Sequence, residues 1–150
     1  MCRLAVEGRD GEAVCALEIS RGGPSYTVDS LRAIHASHPH AELTFIVGAD
    51  VASTLPSWRE PRELLELAGL AVAERTGAQR AAVQEAVAGL QPRARAAGGA
   101  VRFLAMPRID ISSSQVRERV AAGEPIEGLV APAVASYIAA HGLYGAGARA

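Results

Sequence analysis

The sequence predicts an α/β fold, a parallel sheet covered by helices on both faces. Short apolar segments alternate with stretches of helical periodicity along the chain, and strands separated by helices run parallel. The 150 residues, 49% hydrophobic and 21% charged, suit one core burying roughly 68–70% of the unfolded-chain surface. Residues 1–150 are therefore expected to form a single domain, with a frayed tail at 145–150.

The elements follow in order. Strands are expected at Ala13–Ile19, Glu42–Val47, Leu70–Ala73 and Ala100–Leu104, each short, apolar or alternating, and bounded by polar residues or glycine. Helical patterns cover Val28–Ala36, Pro61–Ala68, Ala78 to about Leu90, Ser113–Ala122 and Pro132–His141. Thr27 is the expected cap of the first of these, and Asp29 places negative charge in its first turn. Pro132 suits the first turn of the last helix, and Gly142 is placed to end it. The Ala/Gly/Arg-rich segment Arg75–Gly99 reads either as one long helix broken near Pro92 or as a helix followed by a loop.

The formal net charge of −1 argues against a general nucleic-acid binder, because such domains carry a basic excess. All 15 basic residues are arginine, whose planar fork suits phosphate. Cys2 and Cys15 lack the spacing of a disulfide framework or a zinc site, which fits a reducing cytoplasm. No apolar run approaches the ~18 residues of a membrane span, and the start MCRLAVEGRDG lacks the plan of a signal peptide, so no membrane partner is expected. A homo-oligomer is compatible with the sequence.

The stretch RIDISSSQVRERV carries the most chemistry. With Ser112 as N-cap, Gln115 stands three residues later as in a capping box. Arg117 then shares a helix face with Ser113 and Ser114. Unpaired amides, hydroxyls and a guanidinium converge at such a helix start, which favours an anion; an ordinary capped surface helix has the same spacing. In FIVGADVASTLPSWREP, Gly48 ends an apolar strand and Asp50 lies just beyond it, where parallel sheets place ligand-binding residues. Asp50 either accepts hydrogen bonds from a ribose or caps the short helix that follows. Trp58, the sole tryptophan, either offers a flat surface to a planar ligand or anchors its loop. His35, His38 and His40 suit a helix end, and Pro39 argues against a metal site there. His141 has the same helix-end explanation.

Taken in order, PSYTVDSL, ELTFIVGAD, LPSWREPRELLELA, IDISSSQVRERV and VASYIAAHGLY resemble the bacterial nicotinate-nucleotide adenylyltransferase family from about residue 17 to 144. The resemblance implies a Rossmann-like fold and the transfer of the adenylyl group of ATP to nicotinate mononucleotide, giving deamido-NAD and pyrophosphate with Mg²⁺ carried by ATP. It implies that Thr27, Trp58 and Arg59 hold the nicotinate end, with Trp58 stacking on the ring and the Arg59 amide facing its carboxylate. Gly48 and Asp50 would meet the adenosine portion, and Ser112, Ser113 and Arg117 the ATP phosphates, Arg117 as the catalytic group.

The family's HxGH element does not occur in the sequence. The expectation is an N-terminally truncated domain, with Met1 an internal start or the product of a truncated gene model, and activity impaired in the chain as written. The lost strands would leave Ala13–Ile19 without its neighbour and Glu42–Val47 on an edge. Competing readings are a pantetheine-phosphate adenylyltransferase-like enzyme, which PSYTVDSL and LPSWREP disfavour, and a noncatalytic nucleotide-binding remnant.

Overall fold

The structure, a computed structural model, describes residues 1–74, 79–90, 101–107 and 109–145. The chain divides into two compact units, Leu17–Arg108 and Met1–Ala16 with Ile109–Ala150.

The first unit holds helices α2 (Leu17–Arg21), α3 (Thr27–Ser37), α4 (Ala49–Ala52), α5 (Pro61–Leu67) and α6 (Arg80–Ala88), a 3-10 turn at Leu55–Ser57, and strands β1 (Leu43–Gly48), β2 (Ala68–Glu74) and β3 (Val101–Ala105). The strands form one parallel sheet in the order β1-β2-β3, with Gly48 opposite Ala73 and Ala73 opposite Leu104. The expected α/β class and parallel sheet are therefore present. Central β2 is a nearly unbroken apolar run, as suits a strand flanked on both sides. Edge strand β1 alternates in burial, so Leu43, Phe45 and Val47 turn toward the core while Ile46 stays 66% exposed.

Leu31, Leu55, Leu64, Leu65, Val83 and Val87 pack with Val47, Leu70 and Val72 into one core. Helices α3, α5 and α6 thus lie against the face of the sheet that carries Val47 and Val72; on the other face Thr44, Ile46 and Leu104 are exposed, while Ala71 of β2 is buried.

The expected strand Ala13–Ile19 is corrected. Residues 13–16 adopt no regular structure, and Leu17–Arg21 is helical. A strand needs a ladder partner, whereas a helical turn satisfies its own amides. The turn also brings Glu18 and Arg21 to one side, where Ser30 of α3 donates to Glu18 Oε1 at 2.7 Å and accepts from Arg21 Nη1 at 3.4 Å.

The second unit holds α1 (Cys2–Val6), α7 (Ser113–Ala121) and α8 (Pro132–Ala140). Val116, Ile126, Val134 and Ile138 form its core, with Leu4, Leu129, Leu143 and Tyr144 packed around them. Helices α7 and α8 end alike. Gly123 and Gly142 take φ of +70° and +60°, and the following amides of Glu124 and Leu143 reach back to Arg119 and Ile138 at 2.8 and 3.0 Å. These paired bonds satisfy carbonyls that the helix itself leaves open. Gly142 plays the role expected of it.

Among the described residues no helix is long and apolar enough to cross a membrane. The readings of 75–78, 91–100 and 146–150, including the break near Pro92 and the frayed tail, lie outside the described residues.

Candidate functional site

The structure sorts the candidate residues by unit. Thr27, Gly48, Asp50, Trp58 and Arg59 belong to the sheet unit, and Ser112, Ser113 and Arg117 to the helical one.

Thr27 is not the cap of its helix. Tyr26 is extended (φ −104°, ψ 137°) and its carbonyl accepts from Asp29 and Ser30 at 3.0 and 3.2 Å, which makes Tyr26 the N-cap and Thr27 the first helical residue. No side-chain cap bond closes α3. The difference is one residue, within the ordinary spread of helix boundaries.

Gly48 is the last residue of β1 and the N-cap of α4. Asp50 lies in the first turn of that helix, not at its cap, and its side chain folds back over Gly48. A Cβ built at Gly48 would sit 2.8 Å from Asp50 Oδ1. The backbone at Gly48 (φ −69°) accepts any residue, so what the glycine accommodates is this close approach and not unusual dihedrals. Gly48→Ala is therefore expected to fold with nearly wild-type stability, within about 0.5–1 kcal/mol, since a surface carboxylate can swing aside. Any ligand contact made by Asp50 should suffer, so equal nucleotide affinity in Gly48→Ala and wild type, read by calorimetry, would count against an Asp50 role.

Trp58 follows the 3-10 turn. Its indole N–H donates to Thr54 Oγ1 at 3.0 Å, and its ring meets Phe45 of β1 edge-on at 6.0 Å and 68°. The side chain is half-buried against the core. The anchoring reading of Trp58 thus has direct structural content, and the partly exposed ring keeps surface for a planar ligand.

Beyond Trp58 the chain turns sharply. Glu60 takes the left-handed conformation (φ 48°, ψ 54°), uncommon for a residue with a side chain, and Pro61 then starts α5. Charges hold this corner. Arg32 of α3 donates to Asp29 Oδ1 at 2.8 Å, to Glu63 Oε1 at 2.6 Å, and also to Glu60. Arg59 lies over the Tyr26 ring at 4.7 Å, with Asp29 and Glu60 at 3.8 and 3.4 Å. The bond from Arg32 holds the Glu63 carboxyl below its usual range, and Arg32 is correspondingly raised, first by its bond with Glu63. A depressed carboxyl stabilises the fold above its unfolded pKa, and that contribution is lost as pH falls through the folded value.

A buried carboxylate, Glu74 at 7% exposure, ends β2 and pairs with Arg80 at the start of α6; Arg80 in turn lies 4.7 Å over Phe103 of β3.

In the helical unit, Ser112 caps α7 as expected. Its hydroxyl accepts from the Gln115 amide at 3.1 Å, and Arg117 Nη2 donates to Ser114 Oγ at 3.2 Å. Arg117 and the serines are exposed, so the guanidinium is folded toward the helix start, where amides lack partners within the helix. His141 follows the end of α8, with Nδ1 2.9 Å from the Tyr137 carbonyl and its ring stacked on Tyr137. His35 lies in the last turn of α3, and His38 caps it. Both placements accord with the helix-end explanation.

Sequence reasoning missed Arg32, Glu60, Glu63, Thr54, Glu74 and Arg80. Only the Asp29–Arg32 pair carries a readable signal, its three-residue helical spacing. Arg32 and Glu63 are 31 positions apart and meet only once α3 and α5 pack.

Residues 1–119 match the family described as cytidylyltransferase-like. Two relatives carry the name "Probable nicotinate-nucleotide adenylyltransferase". The protein of Chromobacterium violaceum is 42% identical over 152 residues, covering 96% of this chain and 72% of its own. That of Thermomicrobium roseum is 39% identical, covering 96% and 65%. Among solved structures, the Plasmodium falciparum nicotinic acid mononucleotide adenylyltransferase complexed with APC superposes with a TM-score of 0.58 at 22% identity, over 82% of this chain and 60% of that one. The same enzyme complexed with NaAD gives 0.56 at 23%. The chain spans less than two thirds of these Plasmodium chains, and at such identity the likeness concerns the fold. The extent and level of identity to the bacterial proteins show that the chain belongs to the nicotinate-nucleotide adenylyltransferase family.

Proposed function

We propose that this chain binds ATP and nicotinate mononucleotide for adenylyl transfer, the reaction that yields deamido-NAD and pyrophosphate. The observation that carries the reading is the start of α7, where a serine cap and an arginine folded toward Ser114 stand at a helix N-terminus, a place suited to phosphate oxygens. The names of the relatives, and the ligands of the Plasmodium structures, support the same substrates. They also favour a nicotinate substrate over a pantetheine one.

In this reading a phosphate oxygen of nicotinate mononucleotide attacks the α-phosphorus of ATP in line, and the bond to the departing pyrophosphate breaks. No protein nucleophile is needed, so catalysis is positioning together with neutralisation of developing charge. Ser112, Ser113 and Arg117 hold the phosphates, Arg117 offsetting charge on the leaving group. Gly48 and Asp50 meet the adenosine. Thr27, Trp58 and the Arg59 amide hold the nicotinate. Among the described residues no three His, Cys, Asp or Glu side chains gather as a metal-holding group. The donors at α7 are amides, hydroxyls and a guanidinium, so the reading places Mg²⁺ on the triphosphate, where it offsets charge.

The test is titration of the chain with nicotinate mononucleotide while the fluorescence of its sole tryptophan is followed, beside an assay for pyrophosphate release. Quenching that saturates is expected, because the ring stacks on Trp58. No spectral response at saturating ligand removes the Trp58 assignment. Binding of both ligands without pyrophosphate release would favour the noncatalytic reading.

A further inference from the structure

The charges around the Trp58–Glu60 corner are unevenly shared. Asp29, Glu60 and Glu63 converge on Arg32, and Arg59 is already engaged by Tyr26, Asp29 and Glu60. Arg32 is thus the guanidinium that bonds the first turn of α3, the first turn of α5 and the left-handed residue between Arg59 and Pro61. A residue in that conformation persists only when its surroundings over-determine it. Single exposed ion pairs hold little, but a fork that bonds three carboxylates fixes geometry as well as charge.

We propose that Arg32 is a positioning residue: it fixes the Trp58–Glu60 corner against the turn that holds Thr27, and its charge makes that corner tolerant of an anionic pyridine. The second clause rests on the proposed nicotinate subsite; the first does not. Without Arg32, Asp29 and Glu60 would share the guanidinium of Arg59 and Glu63 would lose its bonds to Arg32, and a substrate carboxylate would meet their repulsion. Arg32 would then set the preference for pyridine carboxylate over pyridine carboxamide without touching either.

The experiment uses the full chain and its sole tryptophan. In Arg32→Met, the acrylamide quenching constant of Trp58 without ligand should rise roughly twofold as the corner loosens. The ratio of nicotinate to nicotinamide mononucleotide affinity should fall roughly fivefold to tenfold. Arg32→Lys keeps the charge and loses the fork, so it should restore most of the ligand ratio and little of the shielding. Arg62→Met is the control, since Arg62 lies on α5 next to Glu63 but bonds the Gly89 carbonyl. Unchanged Trp58 quenching in Arg32→Met, or an equal rise in Arg62→Met, overturns the positioning role. An unchanged ligand ratio overturns the charge role. If the chain binds neither ligand, the nicotinate subsite and the charge role fall together, while the quenching comparison still decides the positioning role. Should Arg32→Met fail to fold, Glu63→Gln removes the charge of the partner that Arg32 bonds through two nitrogens, and unchanged quenching there counts equally against the proposal.

Discussion

Leu64→Ala is expected to destabilise the sheet unit by about 2–5 kcal/mol, because it deletes a fully buried side chain and leaves a cavity that close-packed neighbours fill only in part. Leu64 is 0% exposed, on the α5 face that packs against β2 beside Leu65 and Leu70. A domain of this size has roughly 5–15 kcal/mol of net stability, so the loss is a large share of it. Urea unfolding followed by Trp58 emission reads this unit directly, since Trp58 packs against the same core. A lowered midpoint with unchanged slope is expected. A loss below about 1 kcal/mol would mean that α5 does not close the core as described. The consequence reaches the candidate site, because α5 begins at the Glu60 corner and its seating decides where Trp58 and Arg59 stand.

Parts of this architecture were legible because they rest on local rules. The apolar run Leu70–Ala73 marks a strand, and the structure makes it part of β2. Ser112 and Gln115 stand at the spacing of an N-cap and its third residue, and the bond between them exists. Gly142 ends a helix because it alone tolerates the left-handed step there without cost.

The rest depended on partners that sequence does not reveal. Ala13–Ile19 has the composition of a strand, yet composition cannot supply a ladder neighbour, and Glu18 finds Ser30 by turning helical instead. Thr27 looks like a cap because of its hydroxyl, but the carbonyl geometry of Tyr26 decides the helix start. The clamp on the Trp58 corner joins residues from two helices, so no window of sequence contains it. The division into two units was equally hidden, since Met1–Ala16 groups with Ile109–Ala150, segments from opposite ends of the sequence.

Arg117→Ala is expected to weaken ATP binding roughly 10- to 100-fold, since a hydrogen bond to a charged group contributes about 1.5–3 kcal/mol and each 1.4 kcal/mol is tenfold. Nicotinate mononucleotide affinity should hardly change, because the contacts proposed for Arg117 are to the triphosphate. Stability should also hold, as Arg117 is exposed and its bond is to a surface serine. Ser112→Ala separates the roles. It removes the cap of α7, costing about 1 kcal/mol of stability, while Arg117 keeps its charge, so ATP affinity should fall less than in Arg117→Ala. Arg117→Lys restores a point charge without the fork and should recover only part of the binding. Calorimetry with ATP on the three variants measures all of this. Equal ATP affinity in Arg117→Ala and wild type would leave the start of α7 as an ordinary capped helix, and the phosphate site would have to be sought among other donors.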